Sequence, residues 1–279
     1  MSKATIRTAT TGLNYTLSSH AVNELRVNYS SMVARNRLVP GTLDGAVPLT
    51  AAVLPPGTNT DTGTFSFSIL SVGGVDIGNY NGAGDTQYNL TDNFTWSRGS
   101  HQVKLGFDCR RLTPETTTSN ESLSLIWLSL AATPGGVRSG IPYFTGLSKG
   151  AGYPLKLLTR NYSSFAQDTS SVSRRLTVTY GLRWDVNPAL TSLNAESTPY
   201  PVQSVASPAA LVLGTRGAPL YRTSWRNVTP RIGASYLPSG ITAWETRLSG
   251  GFGLFSSASL GNLGSVTTAF PWGSSASFP

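Results

Sequence analysis

Apolar and polar residues alternate with a period of two along several long stretches of this chain. The clearest stretch runs from Thr86 to Thr113. In its second half Val103, Leu105, Phe107 and Cys109 alternate with Gln102, Lys104, Gly106, Asp108 and Arg110. In its first half Tyr88, Leu90, Phe94 and Trp96 alternate with Gln87, Asn89, Thr91, Asn93 and Thr95. Period two is the pleat of a β-strand, so each half presents one apolar and one polar face. The two halves read as a hairpin with a tight turn at Arg98-Gly99. Asp92 falls on the apolar face, and a β-bulge is expected there to re-aim it.

The pattern recurs on both sides of this hairpin. Over residues 11–36, Leu13, Tyr15 and Leu17 share one face. Leu25, Val27 and Tyr29 then oppose Glu24, Arg26 and Asn28 after a short turn at Ser18 to Ala21. A third hairpin spans about Leu155 to Asn187. Its first arm alternates poorly and its facing is ambiguous. Its second arm is the cleanest in the chain, with Leu176, Val178, Tyr180, Leu182, Trp184 and Val186 against Thr177, Thr179, Gly181, Arg183 and Asp185. A fourth hairpin pairs Val228–Leu237 with Thr242–Phe255. There Ile232, Ala234 and Tyr236 oppose Arg231, Gly233 and Ser235, while Trp244, Leu248, Phe252 and Leu254 oppose Glu245, Arg247, Ser249 and Gly251. Between these hairpins lie stretches rich in Pro, Gly and Thr: Arg37 to Asp85 (with one short strand, Thr64 to Leu70), Pro114 to Pro154, and Pro188 to Trp225. These read as long loops, and the tail from Ser256 reads as ending without a strand.

Strand, short turn, strand, long loop is therefore the repeating order. Strands of about 10–14 residues exceed the usual ~5–6 and match a tilted membrane-spanning strand of ~9–11 residues. Short turns on one side and long loops on the other are the asymmetry of outer-membrane barrels. The fold class that follows is all-β: an antiparallel up-and-down transmembrane β-barrel segment of about eight long strands in four hairpins, incomplete as a barrel. An immunoglobulin-like sandwich ranks second, because its strands are shorter and its turns more frequent.

Composition agrees. Only 12% of residues are charged, against about a quarter in soluble domains. Gly (29 residues) and aromatics (10%) are plentiful, as expected where half of each strand faces lipid and half a wet lumen. No apolar run approaches the ~20 residues of a membrane helix. The start, MSKATIRTATTG, has no apolar segment of the signal-peptide kind, so the sequence reads either as cytosolic or as an internal piece of a longer chain. The formal charge of +8 is spread singly over alternating positions, with no Lys/Arg run longer than two. That spacing favours a lumen lining or rim over nucleic acid.

Enzymatic chemistry finds no foothold. The two histidines, His20 and His101, fall at or beside turns, and with the single cysteine, Cys109, they make no zinc set. The glycine clusters at 135–136 and 250–253 lack a strand-turn-helix setting. No enzyme activity, cofactor, metal or nucleic-acid partner is expected. The charges on the polar faces are the functional lead: Lys104, Asp108, Arg110, Arg183, Asp185, Arg231, Glu245 and Arg247. They read as lumen-facing, either as a ladder of ion pairs filling an aqueous interior or as an arginine excess that favours anionic solutes. On the apolar faces Trp96, Trp184 and Trp244 are candidates for an interfacial aromatic girdle.

Several segments together resemble a known family. DNFTWSRGSHQVKLGFDCRR, RNYSSFAQDTSSVSRRLTVTYGLRWDV, NVTPRIGASY and ETRLSGGFGLF are similar, in that order, to barrel segments of Oar-like TonB-dependent outer-membrane receptors. The resemblance covers about Gly12 to Phe255. It implies a barrel of roughly twenty-two strands plugged by an N-terminal domain, and uptake of a ligand energised through TonB. Neither a TonB box, a plug nor a final strand is recognisable. Residues 1–256 therefore read as part of such a receptor barrel and 257–279 as a Ser/Gly-rich loop or truncated end. The partners implied are outer-membrane lipid, the TonB system acting through a plug domain this chain does not contain, and an unidentified ligand. The alternatives are an outer-membrane barrel with a structural, adhesive or passive-diffusion role, or a soluble secreted β-sandwich.

Overall fold

A computed structural model describes residues 2–39, 41–42, 54, 57–70, 72–117, 119–129, 144–149, 154–195, 198, 200–205, 211–238, 246–256 and 274–278. Every regular element in them is a β-strand. In chain order these are β1 (Ser2–Ser18), β2 (Ala21–Leu38), β3 (Gly63–Ile69), β4 (Gly73–Arg98), β5 (His101–Thr117), β6 (Glu121–Trp127), β7 (Phe144–Lys149), β8 (Leu155–Ser171), β9 (Leu176–Val186), β10 (Thr191–Ser192), β11 (Val202–Val205), β12 (Leu211–Leu213), β13 (Val228–Tyr236), β14 (Leu248–Gly253) and β15 (Ser274–Phe278).

One large, mostly antiparallel sheet contains all but β11 and β12, which pair with each other. Its long body runs β1, β2, β4, β5, β8, β9, β13, β14, each paired antiparallel with the next. The sheet does not close. Among the described residues β1 pairs only with β2, and β14 only with β13. The tight turn between β4 and β5 lies at Gly99-Ser100, one residue later than expected, with Gly99 at φ 60. Only glycine adopts that conformation without strain.

The strands depart from the sequence pattern in identifiable ways. They number more than the eight expected, and they reach past the membrane-length core into stretches read as loops. β4 begins at Gly73, inside the supposed Arg37–Asp85 loop, because its first residues pair with β3 and its next ones with the end of β2. β5 runs on to Thr117, and β6 and β7 occupy part of the Pro114–Pro154 connection. Short β10, β11 and β12 interrupt the Pro188–Trp225 connection. The tail carries β15, paired with β7. Pairing between β3 and β6 is parallel, the one break in the antiparallel order among the described pairs. Glycine- and serine-rich segments of this kind have little intrinsic strand preference, so pairing with an existing edge decides their state.

Asp92 does not sit at a bulge. It pairs in register with Leu25 and Phe107 and stays on the apolar face. There Asn23 Nδ2 donates to its Oδ1 at 2.8 Å, which satisfies one polar group with another. The register shift in β4 falls instead opposite Arg35/Asn36.

The buried apolar residues gather at the loop end. Phe65, Ile77 and Leu123 form a small core with Leu54, Phe67 and Leu125, and Leu155, Leu157, Leu158, Val186 and Leu190 are buried nearby in sequence on β8, β9 and the segment after β9. Along the body of the sheet the aliphatic face is open: Leu182 is 55% exposed, Ile232 56% and Phe252 67%. A β-sandwich would have a second sheet over that face. The described residues supply none.

Candidate functional site

Residues directly opposite in neighbouring strands point to the same side of a sheet, so register alone sorts the charges. One polar row is Thr95, Lys104, Gln167, Gly181, Arg231, read from β4 through β5, β8 and β9 to β13. The next is Asn93, Gly106, Phe165, Arg183, Thr229. Then come Thr91, Asp108, Ser163, Asp185, and Asn89, Arg110, Asn161. Six of the eight charges singled out from the sequence (Lys104, Asp108, Arg110, Arg183, Asp185 and Arg231) therefore share one face of one sheet. Arg247 precedes β14 and is exposed. Glu245 and Trp244 lie outside the described residues.

These charges are partly matched. Arg183 Nε donates to Asp185 Oδ1 at 3.0 Å and its Nη2 to Ser163 Oγ at 2.7 Å. Ser256 Oγ donates to Asp185 Oδ2 at 2.9 Å. Asn89 Nδ2 donates to Asp108 Oδ1 at 2.6 Å. The Arg231 guanidinium stacks over the Phe255 ring at 4.7 Å, a contact that leaves its charge unneutralised. Lys104 has no hydrogen-bond or ion-pair partner among the described residues. Lys104, Gln167, Arg183 and Arg231 surround a hollow of about 220 Å³ over Gly181. Its charge is net positive, since of the three cations only Arg183 is matched by a carboxylate.

Phe165 forms one wall of this hollow and explains why the first arm of the third hairpin alternates poorly. It points to the polar face, where Gly106 makes room: a Cβ on Gly106 would lie 2.1 Å from the Phe165 ring. On the other face Ser164 sits between Phe107 and Trp184, so large neighbours cover a small residue. The sequence of β8 alone cannot show either substitution of roles.

The opposite face reads row by row as Ala21, Trp96, Val103, Asp168, Tyr180, Ile232, Phe252; then Asn23, Phe94, Leu105, Ala166, Leu182, Pro230; then Leu25, Asp92, Phe107, Ser164, Trp184, Val228; then Val27, Leu90, Cys109, Tyr162, Val186. Trp96 lies near the turn end of β4 and Trp184 near the loop end of β9. Trp184 Nε1 donates to the Trp225 carbonyl at 2.9 Å. Tyrosines that the sequence pattern did not single out as a girdle extend both rows. At the loop end Tyr29 and Tyr88 meet with ring centroids 5.2 Å apart, and Tyr236 lies at the turn end of β13. In β4, Tyr88 and Trp96 are eight positions apart, about 26 Å at ~3.3 Å per residue. In β9 and β13, paired Trp184/Val228 and Tyr236 are separated by the same eight positions. A polar cluster interrupts this face near the turns: His101 Nδ1 lies 2.7 Å from Asp168 Oδ2, and Tyr180 Oη donates to the same oxygen at 2.8 Å. Only the register of three strands brings these residues together.

A mostly antiparallel sheet with one charged face and, among the described residues, one exposed aliphatic face is the pattern of a membrane-barrel wall. The match to a family model makes this specific. Residues 2–279 match the outer membrane β-barrel domain, and the chain belongs to that family. It is accordingly an outer-membrane protein. No curated protein sequence matches it. Among solved structures it is similar to the ferric-catecholate import receptor Fiu of Escherichia coli in its open form, with 14% identity and a TM-score of 0.43 over 84% of this chain and 33% of that one. It is also similar to the outer membrane transporter YddB of Escherichia coli, with 14% identity and a TM-score of 0.37 over 85% of this chain and 27% of that one. The chain thus spans about a third or less of the length of these structures.

Proposed function

We propose that this chain is a wall segment of a TonB-dependent receptor barrel. Its aliphatic face contacts outer-membrane lipid and its charged face lines the aqueous interior. The observation that carries this reading is the separation of faces. Through the registered rows, Lys104, Asp108, Arg110, Arg183, Asp185 and Arg231 fall on one side, while Trp96, Leu105, Leu182, Trp184 and Ile232 fall on the other. The two aromatic rows, about 26 Å apart along strands tilted by ~40°, bracket a band roughly 20 Å tall, near the ~25 Å apolar height of such barrels. The open edges of β1 and β14 then receive further barrel strands. The motif order through NVTPRIGASY supports the receptor class and TonB-energised uptake.

Within that role, the hollow framed by Lys104, Arg183 and Arg231 biases the interior towards anionic solutes. The test uses the full-length receptor. Arg183→Gln with Arg231→Gln should lower uptake of an anionic ligand several-fold more than that of a neutral one. Equal uptake of both ligand classes by native and variant receptor removes the anionic bias.

A further inference from the structure

We propose that the aliphatic face carries, at its loop end, a binding site for the phosphate of an outer-leaflet lipid, formed by Arg111 and Arg160. The two arginines are directly opposite each other across β5 and β8, and both are exposed. They continue the row of Tyr29 and Tyr88, one row beyond Cys109 and Tyr162. The face is thus mainly aliphatic up to the loop-side tyrosines and turns cationic there. Side chains directly opposite have Cβ atoms about 5 Å apart, and like charges so placed repel. Neither guanidinium has a hydrogen-bond or ion-pair partner among the described residues. The nearest carboxylates on this face are already engaged: Glu115 Oε2 lies 3.1 Å from Lys156 Nζ, and Asp92 is bonded to Asn23. Two unneutralised forks side by side fit an anion bound between them, and guanidinium groups match phosphate oxygens two at a time.

Position selects the source of the anion. The long-loop side of such a barrel is the outer side, so Arg111 and Arg160 sit at the height of outer-leaflet headgroups. A phosphorylated glycolipid would lay its acyl chains over Leu90, Phe107 and Tyr162 and bring its phosphate to the arginine pair. A hollow of about 270 Å³ beside Arg111, edged by Tyr88 and Thr113 and lined further out by Asp85 and the Glu115–Lys156 pair, leaves room for the rest of the headgroup. The proposal rests on the aliphatic face being the lipid face.

The test measures binding of diphosphoryl lipid A, and of its dephosphorylated form, to the full-length protein in detergent by native mass spectrometry, with inorganic phosphate as competitor. Folding is checked by heat-modifiable gel mobility. Arg111→Gln with Arg160→Gln should weaken diphosphoryl lipid A binding about tenfold or more, the scale of losing charge-assisted hydrogen bonds. Arg174→Gln with Arg175→Gln, at the turn end, should leave it unchanged. The dephosphorylated lipid should bind the native protein no better than the phosphorylated lipid binds the double variant, and inorganic phosphate should not compete. Unchanged binding in the double variant overturns the site. So does equal binding of the two lipids, or displacement by inorganic phosphate, which would make the anion a soluble one. If the double variant does not fold, each single variant should bind several-fold more weakly, and native-like binding in both overturns the site. Quenching of Trp96 and Trp184 fluorescence by brominated acyl chains, resolved with Trp→Phe variants, separates the two claims. Its absence sinks the lipid-face reading, whereas its presence with unchanged lipid A binding sinks only the phosphate site.

Discussion

Replacing Ile232 by arginine puts the strongest demand on the assignment of faces. Ile232 is 56% exposed and lies in β13 midway between Val228, in the row of Trp184, and Tyr236. Four residues in each direction are about 13 Å of strand, so Ile232 stands near the middle of the apolar band. An arginine on the lipid face at that depth costs about 2–4 kcal/mol and near the interface about 0–1. Ile232→Arg should therefore destabilise the full-length barrel by about 2–4 kcal/mol and Val228→Arg by under about 1 kcal/mol. Ser235→Arg, on the charged face, should change stability by under about 0.5 kcal/mol. If this face were an ordinary water-facing surface, all three would cost under about 0.5 kcal/mol. Reversible guanidinium unfolding in lipid vesicles, followed by tryptophan fluorescence, gives the three values. Equal costs for Ile232→Arg and Ser235→Arg, or no depth dependence between Ile232 and Val228, refute the reasoning.

Three other outcomes follow from the same geometry. Gly106→Ala should destabilise by about 1–3 kcal/mol through overpacking, because its new Cβ would lie 2.1 Å from the Phe165 ring; adding Phe165→Ala should cancel most of that loss in a double-mutant cycle, and strict additivity speaks against the contact. Asp85 lies three residues past Tyr88 towards the loops, outside the apolar band, with Oδ1 buried and unpartnered. Burial raises its pKa above the ordinary 3.8, against hydrogen bonds from the Thr86 and Thr113 backbone that lower it. The folded state thus holds this proton more tightly than the unfolded state, and its destabilising effect grows as pH rises through the raised value. Asp85→Asn should stabilise the barrel at neutral pH, with the gain vanishing below pH 3.8; a gain independent of pH contradicts this. The isolated chain, with β1 and β14 as bare edges among the described residues, should aggregate in water, and a monodisperse monomer without detergent on a sizing column would speak against it.

The sequence reads well where one strand face is uniformly apolar. In β2, β5, β9 and β13 the alternation alone placed Leu25, Phe107, Leu182 and Ile232 on one side and Arg26, Asp108, Arg183 and Arg231 on the other, because a register slip of one residue would swap every side chain. It reads poorly where neighbouring strands exchange bulk. Phe165 faces the charged side only because Gly106 vacates the space, and Ser164 sits on the aliphatic side between Phe107 and Trp184. Asp92 needed no bulge, since Asn23 on another strand supplies its hydrogen bond. The extensions were invisible for a related reason. Gly73–Gly78 and the tail segment Ser274–Phe278 become strands by pairing with β3 and β7, partners remote in sequence or themselves marginal. The Arg111–Arg160 pair exists only once β5 and β8 are in register, and the His101–Asp168–Tyr180 grouping only once β9 joins them, so no local pattern reports either.

The separation of faces itself can be measured residue by residue. Single cysteines introduced in turn from Leu176 to Val186 in a Cys109→Ser background of the full-length protein carry a nitroxide label. Collision with oxygen, which concentrates among acyl chains, is compared with collision with a water-soluble nickel complex. Oxygen accessibility should peak at positions 178, 180, 182 and 184, and nickel accessibility at 177, 179, 181, 183 and 185, two curves of period two in opposite phase. Curves that rise and fall together, or a nickel signal strongest at 182 and 184, would contradict the account.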